Sequence, residues 1–145
     1  MIIPDINLLL YASFSAFEEH VAARTWFEGL MNGETPVGIA APALFGFVRI
    51  STNPRVFEPP MAVDAAVARV EQWLGRPHVQ LLLPGPRHLE IAFSLLRRMG
   101  SAGNLTTDVQ LAALAIEHQA ELHSNDTDFG RFAQLRWVNP FAASS

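Results

Sequence analysis

Residues 106–129 read TTDVQLAALAIEHQAELHSNDTDF. The first part, TTDVQLAALAIEH, is rich in strong helix formers and opens on Thr and Asp, which favour helix starts. AELHS then reads as a short strand, and NDTD turns the chain back toward solvent. A helix that runs directly into an apolar strand is the building unit of an α/β sheet. The same alternation extends in both directions. Downstream, LRWVN (135–139) is a last strand. Upstream, Leu89, Ala92, Phe93, Leu96 and Met99 form a helical stripe predicted to face the core, preceded by the strand VQLLL (79–83). Val63, Ala66, Val67, Val70 and Leu74 mark another amphipathic helix, and Pro42 opens a helical ALFGFVRI segment after the strand VGIA (37–40). Before that, Ala23, Trp26, Phe27, Leu30 and Met31 share one helical face, ended by Asn32-Gly33, and MIIPD is the first strand. The strand segments are continuously apolar rather than alternating, which predicts a mainly parallel sheet covered by helices on both faces. The expected architecture is one α/β domain over residues 1–145.

Composition narrows the chemistry. The 145 residues are 50% hydrophobic, enough for a substantial core, with no apolar run long enough to cross a membrane and no signal-peptide pattern. A soluble, cytoplasmic protein is expected. The lack of cysteine excludes a disulfide framework, a thiolate zinc site and a Cys nucleophile, and none of the five histidines makes an H-x-x-x-H pair. All ten basic residues are arginine and the net charge is −4, so nucleic acid would have to be held locally rather than by a broad basic surface. No G-x-S-x-G elbow, P-loop or dinucleotide fingerprint occurs.

The acids carry the sharper signal. Asp5 closes an apolar strand, where an unpartnered carboxylate is costly to desolvate. Asp108 opens the helix after GNLTT, and Asp126 and Asp128 follow the strand AELHS. Each stands at a strand–helix junction, where α/β sheets bind ligands. Capping accounts for any one of them alone, and Thr107 to Gln110 fits a T-x-x-Q capping box that places Asp108 in the first helical turn.

Taken together, the N-terminal strand ending in Asp5, GNLTTDVQLAALAIEH and LHSNDTDFGRF resemble the PIN-domain ribonucleases, specifically the VapC toxins of bacterial toxin–antitoxin pairs. FVRISTNPRVF and LRWVNPF add to that resemblance, which spans essentially the whole chain. It implies a PIN-like α/β/α sandwich with a central, mainly parallel sheet. It also implies an endoribonuclease that uses Mg²⁺ or Mn²⁺, a cognate antitoxin and a homodimer. Residue by residue, Asp5, Asp108 and Asp126 match three of the family acids and are the expected metal ligands. Asp128 belongs to the terminal motif and joins them as a catalytic candidate. The family's second acid is usually a glutamate, and Gly46 occupies its place here. Glu90 is a candidate substitute, with a solvated helix position as the alternative.

Arg49 and Arg55 are candidates for RNA phosphate contact or for surface ion pairs. Asn104, Thr107, Ser124 and Asn125 suit hydrogen bonding to metal-bound water or substrate, and equally suit turns and caps. Trp26, Phe27 and Trp73 read as core rather than as a base-stacking platform. Two other functions stay open on the residues alone: a PIN-like module that binds RNA or protein without catalysis, and a hydrolase of small phosphoesters.

Overall fold

The computed structural model of the protein describes residues 1–100 and 106–142. Among these residues five strands form one sheet: β1 (Ile2–Pro4), β2 (Val37–Ala40), β3 (Val79–Leu82), β4 (Glu121–His123) and β5 (Arg136–Val138). Their order is β3-β2-β1-β4-β5 and every pairing is parallel. The expected mainly parallel sheet is thus wholly parallel among the described residues. β1 lies at its centre, with Ile2 opposite both Val37 and Glu121. Among the described residues six α-helices accompany the strands: α1 (Ile6–Ser13), α2 (His20–Asn32), α3 (Ala41–Ser51), α4 (Val63–Leu74), α5 (His88–Met99) and α6 (Thr106–Glu117). None is long and apolar enough to cross a membrane.

Burial follows position in the sheet. β2 is buried at every residue, and α1 buries Leu8, Leu9 and Leu10 in succession. Three consecutive buried leucines point in different directions around a helix, so α1 is enclosed on several sides. Trp73 is buried against Phe47 and Phe27 in edge-to-face contacts, and Trp26 stacks near His123. The aromatic residues therefore serve the core, as expected.

The outer helices depart from their sequence pattern. On α5, Leu89 and Phe93 are exposed, while His88, Ile91, Ala92 and Leu95 face inward. On α4, Val63 and Val67 are exposed, and Ala66 and Trp73 are buried. β3 is an edge strand whose middle residues, Gln80 and Leu81, are exposed. The expectation of burial on both faces holds for the centre of the sheet and fails at this edge, because an edge strand has a neighbour on one side only.

The predicted T-x-x-Q box also resolves differently. Thr107 lies within α6 rather than at its cap, and the Gln110 side-chain amide donates to the Thr106 carbonyl at 3.3 Å. Asp108 nevertheless sits in the first turn, as that reading required.

Candidate metal centre

The acids meet at the carboxyl ends of β1 and β4. Asp5 follows β1 directly and caps α1: its Oδ1 accepts the Ile6 N–H at 2.7 Å. Ser124 follows β4 and is fully buried, and its hydroxyl donates to Asp5 Oδ2 at 2.8 Å. The same hydroxyl oxygen accepts the Asp126 N–H at 3.0 Å. Asp126 in turn caps a short 3₁₀ turn, Thr127–Arg131, by accepting the Asp128 N–H at 2.9 Å. The Ser124 backbone is tied to β5 by its N–H to the Val138 carbonyl, and its own carbonyl accepts the Trp137 indole N–H. These bonds fix the strand ends before any ligand is considered.

One carboxylate oxygen each from Asp108, Asp126 and Asp128 lies within 4.8 Å of the others, and all three residues are half-buried. Asp5 stands behind them, 4% exposed, with both oxygens already hydrogen-bonded. Each of its oxygens keeps a second lone pair. Of the expected ligands, Asp108 and Asp126 are grouped directly and Asp5 adjoins them. Asp128, expected in a catalytic role, joins the cluster.

Electrostatics tie the four together. Burial raises the Asp5 carboxyl above its ordinary value, offset in part by the Ser124 and Ile6 bonds and reinforced by the charge on Asp126. Asp108 is pushed up to about 6, first by burial and then by repulsion from Asp5, Asp126 and Asp128. Like charges crowded in this way favour either a proton or a cation. The donors are all hard carboxylate oxygens, the set that Mg²⁺ and Mn²⁺ prefer, and no imidazole or thiolate is among them. The residues therefore fit the ion implied by the family.

Gly46 lies buried on α3, and a Cβ there would come within 2.8 Å of Ile6 Cδ1. The Ile6 side chain, next to Asp5, fills the space that a side chain at 46 would enter. Glu90 is exposed and pairs with Arg87 at 3.7 Å; it is not part of the acidic cluster. Arg49 and Arg55 are exposed and have no ion-pair partner among the described residues. Thr107 is half-buried on α6, one position before Asp108. Asn104 lies outside the described residues.

Two side chains at the site escaped the sequence reading. Tyr11 lies close to the Asn125 side chain, which acts to lower its pKa. Burial outweighs this and raises it, helped by the charges of Glu19, Asp5 and Asp126. This meeting depends on β1 pairing with β4, which no local pattern reveals. Arg131 pairs with Asp128 at 3.6 Å, an i,i+3 spacing that was visible in DFGR.

With this geometry in view, similarity to known proteins becomes informative. The PIN domain family model matches residues 2–135. Ribonuclease VapC33 of Mycobacterium tuberculosis strain H37Rv is 55% identical over 140 residues, spanning 97% of this chain and 98% of its own length. The chain belongs to the PIN-domain family. Among solved structures, Mycobacterium tuberculosis VapC20, described as a Sarcin-Ricin loop cleaving toxin, superposes with a TM-score of 0.71 at 16% identity, covering 94% of this chain and 98% of that one. A toxin–antitoxin complex from Klebsiella pneumoniae gives 0.61 at 16% identity, covering 99% and 100% respectively. At such identities the superpositions speak for the fold alone.

Proposed function

We propose that this chain is a metal-dependent endoribonuclease and the toxin of a toxin–antitoxin pair, acting as a single domain in the cytoplasm. The observation that carries the reading is the convergence of Asp108, Asp126 and Asp128 carboxylate oxygens within 4.8 Å, backed by buried Asp5. VapC33, at 55% identity over nearly the full length of both chains, supports RNA as the substrate. The shared fold of a toxin–antitoxin complex supports a protein antitoxin as partner. A homodimer is proposed on the family resemblance.

In this reading Asp108, Asp126 and Asp128 hold Mg²⁺ or Mn²⁺, with Asp5 and Ser124 fixing the strand ends behind them. When bound, the ion supplies charge stabilisation and a lowered pKa for an attacking water. Asp126 is held by its cap to the 3₁₀ turn, and Arg131 orients the Asp128 carboxylate. Asn125, beside Tyr11 and next to Asp126, offers an amide that can hydrogen-bond a substrate phosphate or water.

Purified chain incubated with single-stranded RNA is expected to cut it when Mg²⁺ is present and to stop when a chelator is added. Chelator-resistant cleavage would remove the metal from the reading. Induction of the chain alone should arrest a bacterial host, and Asp5→Asn should relieve the arrest. Metal binding without any RNA cleavage would instead identify a binding module.

A further inference from the structure

Asp5, Asp108, Asp126 and Asp128 crowd one end of the sheet, and the chain as a whole carries a net charge of −4. An RNA strand is a polyanion, and proteins hold nucleic-acid phosphates largely through arginine and lysine. A cation among the acids offsets part of their charge, and a fixed positive group at the margin would hold the strand beside it. Among the described residues one arginine is ion-paired to the cluster: Arg131, whose Nη2 lies 3.6 Å from Asp128 Oδ1. The other arginine ion pairs join helix neighbours, Arg24 to Glu28 and Arg87 to Glu90.

The backbone under Arg131 is held more firmly than its side chain. Arg131 ends the 3₁₀ turn that Asp126 caps. Phe129 and Phe132, on either side of it in sequence, are buried, and the Phe132 N–H donates to the Phe129 carbonyl at 3.2 Å. Gly130 lies against the Trp137 ring of β5, which is 3.5 Å from where a Cβ would stand. From this base the Arg131 side chain reaches into solvent, 57% exposed. Its contact with Asp128 is too long to be a hydrogen bond, and exposed pairs of this kind hold their partners weakly. The guanidinium presents a planar fork of five N–H donors, a match for the oxygens of a phosphate. A cation that takes Asp128 draws on the same carboxylate and loosens the pair further. Arg131 reaches the cluster through Asp128, so it adjoins the cation site rather than entering it.

We propose that Arg131 is a substrate-binding residue, whose guanidinium holds an RNA backbone phosphate adjoining the one that is cut. The inference rests on the ribonuclease function proposed above and adds a local phosphate contact to that site. It also gives an acidic chain a means of holding a polyanion without a broad basic surface.

The test measures kcat and KM of the full chain with Mg²⁺ and a labelled single-stranded RNA pool at stepped KCl concentrations. Wild type is compared with Arg131→Ala, Arg131→Lys and Arg76→Ala. Arg76 precedes β3, at the end of the parallel sheet away from the acids, so its loss changes net charge equally without touching the site. Arg131→Ala should lower kcat/KM on the order of 10- to 100-fold, chiefly through KM, as expected for one charge-assisted contact. Its plot of log kcat/KM against log salt should be shallower by about 0.7, the share of one single-strand phosphate. Arg131→Lys should regain the wild-type slope and part of the affinity, because the charge returns without the fork. Arg76→Ala should behave as wild type, and Mg²⁺ affinity by calorimetry should be no weaker in Arg131→Ala. If Arg131→Ala loses Mg²⁺ affinity with its salt slope unchanged, Arg131 only positions Asp128 and the proposal falls. If wild type cuts and Arg131→Ala keeps both slope and KM, the contact is refuted while the ribonuclease stands. If wild type does not cut, the ribonuclease reading fails, and anisotropy of the labelled pool over the same salt series decides the contact: equal affinities and slopes overturn it. Should Arg131→Ala fail to fold, Arg131→Gln, which keeps most of the side chain, is judged by the same outcomes.

Discussion

The two ends of α6 use carboxylates in opposite ways. At its C-terminal end, Glu117 accepts the Gly85 and Arg87 backbone N–H groups at 2.8 Å each, reaching across to the turn before α5. Burial acts to raise its pKa, but these two bonds, with help from His118 and His88, hold it below the ordinary carboxylate value. A Cβ at Gly85 would meet the Glu117 Oε2 at 2.5 Å, so that glycine makes room for the carboxylate. At the N-terminal end, Asp108 is raised to about 6 by burial and by three neighbouring acids. Glu117 is supplied with donors, whereas Asp108, proposed above as a metal ligand, is left in a crowd of its own sign. The two shifts run in opposite directions on one helix.

The largest expected effect comes from breaking the crowded end. Asp108→Asn keeps size and helix-start preference but removes a charge. RNA cleavage should fall by orders of magnitude. Excess Mg²⁺ should stabilise wild type by about 2.7 kcal/mol at a hundredfold excess over Kd and the variant much less. Melting curves with chelator and with Mg²⁺ measure this, and equal metal-induced shifts would take Asp108 out of the site.

Breaking the satisfied end should change stability instead. Glu117→Ala strands the Gly85 and Arg87 donors and should lower unfolding free energy by about 1–2 kcal/mol in urea titrations. Mg²⁺ should stabilise this variant as much as it does wild type. A variant as stable as the parent would show that the clasp contributes nothing.

A smaller effect separates the ends by pH. The folded-state pKa of Asp108, about 6, lies above its ordinary value of 3.8. Its contribution to stability is therefore complete below that lower value and lost as pH rises through about 6. His123 works the other way: burial lowers its pKa, so its contribution is present above 6.5 and lost as pH falls. In chelator, acidification from about pH 7 to 5 should lower the Tm of Asp108→Asn more steeply than that of wild type. Parallel Tm profiles would contradict the raised value. The smallest effect is expected from Glu90→Ala, whose exposed pair with Arg87 should be worth under about 0.5 kcal/mol. A marked loss of metal affinity in that variant would reinstate Glu90 as a ligand.

The strand–helix alternation was legible because continuous apolar strands and punctuating Asn, Gly and Pro are local signals. The acids were legible because each closes a strand or opens a helix. Leu89, Phe93, Val63 and Val67 were misplaced because periodicity shows that a helix has an apolar face without showing which neighbour covers it. Tyr11 was invisible for a related reason: its partner Asn125 is brought near only when β4 docks beside β1. The capping box failed because Thr107 falls inside α6.

The hydroxyl of Ser124 joins Asp5 to the Asp126 loop across 119 positions of chain. During translation the first strand emerges with its acid, yet the Ser124 hydroxyl that binds it emerges 119 positions later. At roughly 5–20 residues per second, the interval is on the order of ten seconds. Until Ser124 and Asp126 have emerged, the acid at the end of the first strand lacks the groups that hold it.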